Sequence, residues 1–286
     1  MFDLVIMVDW SAAASPGPVK PSPDRCWLAW SARGFHSEAE YFRTRSDCMK
    51  RIYDLLISYD GPACIGFDFP FGYPAGSGLG GGRAAAKRIS QTLQSDAQDR
   101  NNRFDVAAEL NREISASPGP FWGCPAASAS PQLTIKKPDF AHDNFHEWRI
   151  VEKFLRKEKR QTTISSVWKL YTTGSVGSQA LTGLKELGDL TRMPGIAHRV
   201  KFWPFETNWE AELDGIILTE IWPTLNNQAD YDHPIKDARQ VLASRDWFLE
   251  RMRDGTAQTA FSVPDWLTGN DEKKCRNEEG WILGVR

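Results

Sequence analysis

The fold is decided by two apolar stretches that each end in an aspartate, LVIMVD at residues 4–9 and ACIGFD at residues 63–68. Unbroken apolar runs of this length are typical of strands that are buried on both faces of a sheet. Between them, residues 49–57 carry apolar side chains at helical spacing, and Asp60-Gly61-Pro62 ends that helix. Because a crossover helix joins parallel strands, we expect residues 4–8 and 63–67 to be parallel.

Further strands are predicted within this unit, before its helix, and again beyond residue 199. Residues 26–30 and 38–43 indicate an antiparallel meander before the helix, and the apolar pattern returns at residues 200–205 and 216–222. We therefore expect an α/β protein with a mixed five-stranded sheet flanked by helices.

The chain between the strand that ends at Asp68 and the strand predicted at residue 200 is long and lacks a clear strand pattern. Residues 83–199 carry helical patches, among them a charged helix predicted over residues 145–159. The sequence thus predicts a sheet domain formed by residues 1–82 and 200–286. Residues 83–199 are predicted to be a mainly helical insertion that packs on the sheet domain.

Composition narrows the class of protein. The chain has 286 residues and a net charge of −2, so no global field attracts nucleic acid, which argues against a dedicated DNA-binding protein. Its five cysteines include no C-x-x-C pair, which argues against a disulfide framework or a structural zinc site and favours a reducing compartment. Residues 2–8 lack a basic n-region and a small-residue cleavage site, so we expect a strand there rather than a signal peptide. No apolar run approaches the ~20 residues of a membrane span. We expect a cytoplasmic protein without a membrane partner.

Four carboxylates are candidates for the active centre. Asp9 and Asp68 each end an apolar strand, and Glu220 lies near the end of another. Ligands of α/β sheets bind outside the carboxyl ends of parallel strands, where these side chains would meet. Asp237, in the first turn of the following helix, would reach the same edge. Like charges so close repel unless a cation or a proton separates them, and hard oxygen ligands suit Mg²⁺ or Mn²⁺. Each carboxylate taken alone also has a structural explanation, as a turn cap, a lysine partner or a helix-dipole residue.

Four short segments add a family resemblance. VDWSA at residues 8–12, GFDFPFG at 66–72, TEIWP at 219–223 and KDA at 236–238 resemble motifs of the predicted RNase H-like nucleases, in their uncharacterised bacterial branch. The resemblance implies the ribonuclease H fold, with Asp9 on the first strand, Asp68 on the fourth and Glu220 on the fifth. It also implies a two-metal site that cleaves phosphodiesters.

Two main functions are open at this stage. The first is a metal-dependent phosphodiesterase or nuclease, in which Asp9, Asp68, Glu220 and Asp237 bind Mg²⁺ or Mn²⁺ and act on nucleic acid or a nucleotide. The alternative is a non-catalytic protein of the same fold that binds a small molecule or nucleotide, because a fold does not fix a function. A nucleotide-handling enzyme of the actin-like ATPase type is less favoured, since only one sheet unit is evident.

A second candidate binding element is TTGSVGSQ at residues 172–179. Small residues leave backbone N–H groups free to face an anion, so Gly174, Ser175, Gly177 and Ser178 are candidate anion ligands. The competing interpretation is a flexible turn before a helix.

Two other patterns are better explained by solvated surface. His142 and His146 are four residues apart, but no His-Glu-x-x-His motif accompanies them. A basic face is interleaved with glutamates, which favours a solvated charged helix over a nucleic-acid surface. Its residues are Lys136, Lys137, Arg149, Lys153, Arg156, Lys157, Lys159 and Arg160.

Overall fold

The computed structural model describes residues 2–158, 161 and 164–286. Within that part of the chain, seven strands form one mixed sheet. The strands are β1 Leu4–Asp9, β2 Cys26–Ala32, β3 Phe35–His36, β4 Glu40–Phe42, β5 Ala63–Phe67, β6 Val200–Phe202 and β7 Ile216–Glu220.

The parallel pairing predicted at the centre of the sheet is confirmed. The strand order is β3-β2-β1-β5-β7-β6. Strand β4 also pairs with β2, at residues 26–28, whereas β3 pairs with residues 31–32. Strand β1 is antiparallel to β2 and parallel to β5, and β5 is parallel to β7. The carboxyl ends of β1, β5 and β7 therefore lie at one edge of the sheet.

The expected number of five strands is wrong. The meander strand predicted over residues 38–43 is confined to Glu40–Phe42. An additional short strand, Phe35–His36, pairs with β2 before it. Both Arg33 and Gly34 have positive φ angles, as a tight hairpin turn requires, so β3 starts directly after β2. These strands are too short to produce a periodic pattern in the sequence.

Seven α-helices surround the sheet in the described residues. They are α1 Arg45–Ser58, α2 Gly82–Thr92, α3 Arg103–Ile114, α4 Ile150–Lys157, α5 Val176–Leu190, α6 Lys236–Arg253 and α7 Gly269–Lys274.

The helix predicted over residues 145–159 starts later than expected. Helix α4 begins at Ile150 because the N–H of Arg149 donates to the side chain of Glu152, which caps the first turn. Neither His142 nor His146 is helical, and the ring of His142 stacks on Phe145 instead. Two residues of the predicted basic face, Lys159 and Arg160, lie outside the described residues.

Alternate side chains of the central strands enter two different cores. Leu4, Ile6 and Val8 of β1 share one core with helices of segment 83–199. Val5 and Met7 enter the other core, with Phe248 of α6 and the C-terminal segment. This alternation of faces is the period-2 pattern of a strand buried on both sides. It also fixes which strand-end side chains can face one another.

Segment 83–199 packs directly on the sheet. In helix α5, Gly183 touches the ring of Phe69, where a Cβ would lie 2.2 Å from Cζ. Leu181 and Leu184 of the same helix share a core with Ile65 of β5.

The five cysteines are free and buried. Among the helices of the described residues, none has the length and apolar character needed to span a bilayer.

Candidate active site

Asp9 and Asp68 leave the sheet side by side. Strands β1 and β5 are parallel with Val8 opposite Phe67, so the next residue on each strand is an aspartate. The N–H of Trp10 donates to Oδ1 of Asp68 at 2.6 Å and fixes that carboxylate beside the end of β1. The two aspartates that the sequence placed at the strand ends therefore do lie together.

Asp237 reaches the same edge from helix α6. The helix lies on β1 and β2, where Ala238 and Val241 share a small core with Trp27. This packing points the first turn of α6 at the carboxyl end of β1. Oδ2 of Asp237 accepts a hydrogen bond from the N–H of Asp24 at 2.7 Å. A backbone donor from the 11–24 loop thus holds the third carboxylate in place.

The Asp9 carboxylate is the unusual group of the site. The residue is only 9% exposed, yet its side chain accepts no hydrogen bond from the described residues. Burial raises its pKa well above the ordinary value, and the charges of Asp68 and Asp237 raise the pKa further. A carboxylate that is largely removed from water and lies beside two like charges is costly unless a proton or a cation neutralises it.

The pKa of Asp68 is shifted in the same direction as that of Asp9. Burial raises its pKa to about 7, the Trp10 hydrogen bond opposes that rise, and the charge of Asp237 adds to it. Burial likewise raises the pKa of Asp237, against the effect of the Asp24 N–H. Three carboxylates therefore share one edge of the sheet, and burial above all raises the pKa of each above its ordinary value.

Glu220 does not belong to this group, which corrects the four-carboxylate cluster expected from the sequence. Its two carboxylate oxygens accept hydrogen bonds from Arg149 Nη1 at 2.7 Å and Nη2 at 2.6 Å. The cause lies in the register, since Glu220 is opposite Phe67 rather than Asp68. Side chains alternate between the faces of a strand, so Glu220 points to the face opposite that of Asp9.

Arg149 is a residue that the sequence placed only on a solvated charged face. It is 1% exposed, and besides Glu220 it contacts Glu152 through Nε at 2.9 Å and the carbonyl of Glu279 at 2.9 Å. Burial raises the pKa of Glu220, and the guanidinium opposes that rise. The arginine thus ties α4, the end of β7 and the C-terminal segment together.

A cavity of about 250 Å³ lies beside Asp68, between the sheet edge and segment 83–199. Strand-end and C-terminal residues form one wall, and Ser165, Gly174, Val176 and Gln179 of the segment form the other. Gln240 of α6 closes the cavity one helical turn after Asp237. Gln179 ends the TTGSVGSQ segment but was not among its candidate ligands, and no sequence pattern had marked Gln240.

The predicted anion loop is only partly present. Gly174 lines the cavity, but Gly177 and Ser178 belong to α5 and their N–H groups donate to the carbonyls of Lys169 and Ser175. The Ser178 hydroxyl is also engaged, with Leu170 and Arg103. The prediction of free amides is therefore wrong at Gly177 and Ser178, because both N–H groups already donate to backbone carbonyls at the start of α5. For Ser175 the role of anion ligand stays a prediction.

The donor chemistry of the site suits a hard divalent cation, because Asp9, Asp68 and Asp237 offer carboxylate oxygens and a surplus of negative charge. The orphaned Asp9 carboxylate is the group that a cation would satisfy. Across residues 2–158, 161 and 164–286, however, no group of three or more His, Cys, Asp and Glu side chains could hold a metal ion as placed. Cation binding would therefore require these side chains to draw together.

Comparison with protein-family models, with curated proteins and with solved structures gave no significant match.

Proposed function

We propose that the protein is a divalent-cation-dependent phosphodiester hydrolase of the RNase H-like type, with Asp9, Asp68 and Asp237 as the cation ligands. The observation that carries the proposal is the Asp9 carboxylate, 9% exposed, without a hydrogen-bond donor and beside two further aspartates. Repulsion of this kind at one sheet edge is relieved by a divalent cation. The succession of strands β1 to β4, helix α1 and strand β5, which is parallel to β1, also supports the family resemblance of the sequence motifs.

Each residue of the proposed site has a defined task. The Trp10 N–H orients one oxygen of Asp68, and the Asp24 N–H orients one oxygen of Asp237. Asp9 keeps both oxygens available. A bound Mg²⁺ or Mn²⁺ supplies Lewis-acid activation of water and of the phosphoryl group. Glu220 stays with Arg149 and has no part in ligation, unlike the ligand set that the motifs imply.

Hydrolysis of bis(p-nitrophenyl) phosphate and of a labelled single-stranded oligonucleotide tests the proposal. We expect wild-type protein to cleave at least one of them with millimolar Mn²⁺ and to stop when EDTA is added. Asp9→Asn should lower the rate by more than the ~10–100-fold typical of an outer-shell change at a metal site. Asp139→Asn is the matched control, because Asp139 is exposed and makes no hydrogen bond in the described chain.

The alternative is a protein that binds a small molecule or nucleotide without cleaving it. It is favoured by one observation, the absence of a ready group of three metal ligands from the described residues. Tight nucleotide binding together with no Mn²⁺-dependent hydrolysis of either substrate would select this alternative over the hydrolase.

A further inference from the structure

The cavity beside Asp68 has a charge pattern that excludes a phosphate group from its interior. Its charged lining residues are Asp68, Arg149, Glu152 and Glu220. The only cation among them, Arg149, already donates to Glu152 and to both oxygens of Glu220. The remaining charge is negative and repels a phosphate. A phosphate of the substrate would therefore lie outside the cavity, at the three aspartates, where a bound divalent cation would offset their charge. The group inside the cavity would be neutral.

Gln240 supplies a hydrogen-bonding edge for that neutral group. Although it is only 8% exposed, its side-chain amide has no hydrogen-bond partner in the described part of the chain. Its backbone carbonyl accepts from Ser244, so only the side chain lacks a partner. The amide atoms still reach the solvent of the cavity, so they are free to pair with a ligand edge that enters it.

Gln179 offers a second polar contact from the opposite wall. Its Nε2 donates to the carbonyl of Trp10 at 2.7 Å, which leaves Oε1 as an acceptor without a partner. Because Trp10 also binds Asp68, the orientation of Gln179 is coupled to the carboxylate site. Together the two amides can pair with a ligand edge that carries both donors and acceptors.

The remaining walls include several apolar side chains, and the space is small. Val176, Pro70, Ile221 and Trp222 are among the lining residues. The volume of about 250 Å³ lies below the ~300–1,000 Å³ of typical ligand pockets, so the cavity accepts one ring system rather than several nucleotides. The lining is about half polar, and its apolar side chains together with the two convergent amides suit a planar heteroaromatic ring.

We propose that this cavity binds the base of one nucleotide, so that the substrate is a nucleotide-sized phosphodiester or the terminal nucleotide of a strand rather than the interior of a duplex. The assignment of the substrate rests on the proposed hydrolase function. The binding of the base rests on the cavity and its two amides alone.

Calorimetric titration tests base binding separately from catalysis. The probes are adenosine 5′-monophosphate, uridine 5′-monophosphate and ribose 5-phosphate, each titrated into the full chain with Mn²⁺ and again with EDTA. We expect at least one of the nucleotides to bind at least about tenfold more tightly than ribose 5-phosphate. Gln240→Leu keeps a similar volume and removes the amide, so it should reduce that selectivity by about tenfold, the equivalent of one hydrogen bond.

Gln91→Leu is the matched control, because Gln91 is an exposed residue of α2 without a hydrogen bond among the described residues. Melting curves establish that both variants fold. If Gln240→Leu does not fold, Gln240→Ala takes its place. That variant and the wild-type preference for nucleotide over ribose 5-phosphate then decide whether the cavity binds a base. Equal affinities for nucleotides and ribose 5-phosphate, or full selectivity in a folded Gln240 variant, would overturn the inference.

The two proposals fail in different ways. Base-selective binding that depends on Gln240, without hydrolysis of any phosphodiester, would contradict the hydrolase and support the base site. Mn²⁺-dependent hydrolysis with equal affinities for nucleotide and ribose 5-phosphate would support the hydrolase and overturn the base site.

Discussion

Replacing Asp68 by asparagine should stabilise the metal-free protein at alkaline pH. Burial and Asp237 raise the pKa of Asp68 to about 7 from its ordinary value of 3.8. Between about pH 4 and pH 7 the folded state therefore binds more protons at this residue than the unfolded chain does. The contribution of Asp68 to stability is greatest below pH 4, falls through this window and is constant above it. Asparagine has no such dependence, and its Oδ1 can still accept the Trp10 hydrogen bond.

The size of the effect follows from the same pKa. The interval from 3.8 to about 7, at about 1.36 kcal/mol per pH unit, gives a ceiling of about 4 kcal/mol. Asp68 is partly exposed, so solvent screening lowers this value, and we expect Asp68→Asn to exceed wild type by about 1–2 kcal/mol at pH 8. At pH 4 the difference should vanish.

Urea denaturation in EDTA, followed by tryptophan fluorescence at pH 4 and pH 8, measures both differences. Asp139→Asn, the exposed control, should stay within about 0.5 kcal/mol of wild type at both pH values. If Asp68→Asn were less stable than wild type at pH 8, the ionised carboxylate would be stabilising the fold. The conclusion that the three aspartates repel one another would then be wrong.

Two further substitutions test the architecture around the site. Arg149→Ala leaves Glu152 and Glu220 buried without their counter-charge, so the free energy of unfolding measured in urea should fall by about 3–5 kcal/mol. A fall of less than about 1 kcal/mol would mean that solvent reaches the ion pairs. Gly183→Ala places a Cβ 2.2 Å from Cζ of Phe69, so thermal denaturation should show the protein destabilised by about 1–3 kcal/mol. An unchanged melting temperature would show that α5 does not pack against this ring.

The central strands and their terminal aspartates were predictable from the sequence for a local reason. An apolar run of five or six residues followed by Asp marks both a doubly buried strand and its end. A helix between two such runs makes them parallel neighbours, which brings Asp9 and Asp68 to one edge. Asp237 was also placed correctly beside them, because the first turn of a helix after β7 reaches that edge.

The role of Glu220 was not predictable in the same way. Its face depends on the register between β5 and β7, and a shift of one residue would have turned the side chain toward Asp68. The alternation of Ile216, Leu218 and Glu220 was the one local sign that Glu220 follows the Leu218 face. Its partner Arg149 lies 71 residues away, at the start of a helix whose predicted boundary was five residues too early. Contacts of this kind are set by tertiary packing and leave no periodic pattern.

The most direct test of a cation site formed by Asp9, Asp68 and Asp237 is the melting temperature of wild type, Asp9→Asn and Glu220→Gln with and without Mn²⁺. A ligand that binds only the folded state at a hundred times its dissociation constant stabilises it by about 2.7 kcal/mol. We predict that millimolar Mn²⁺ raises the melting temperature of wild type and of Glu220→Gln, and that Asp9→Asn melts no earlier than metal-free wild type and gains nothing from Mn²⁺. No Mn²⁺ shift in wild type, together with earlier melting of Asp9→Asn, would contradict the cation site.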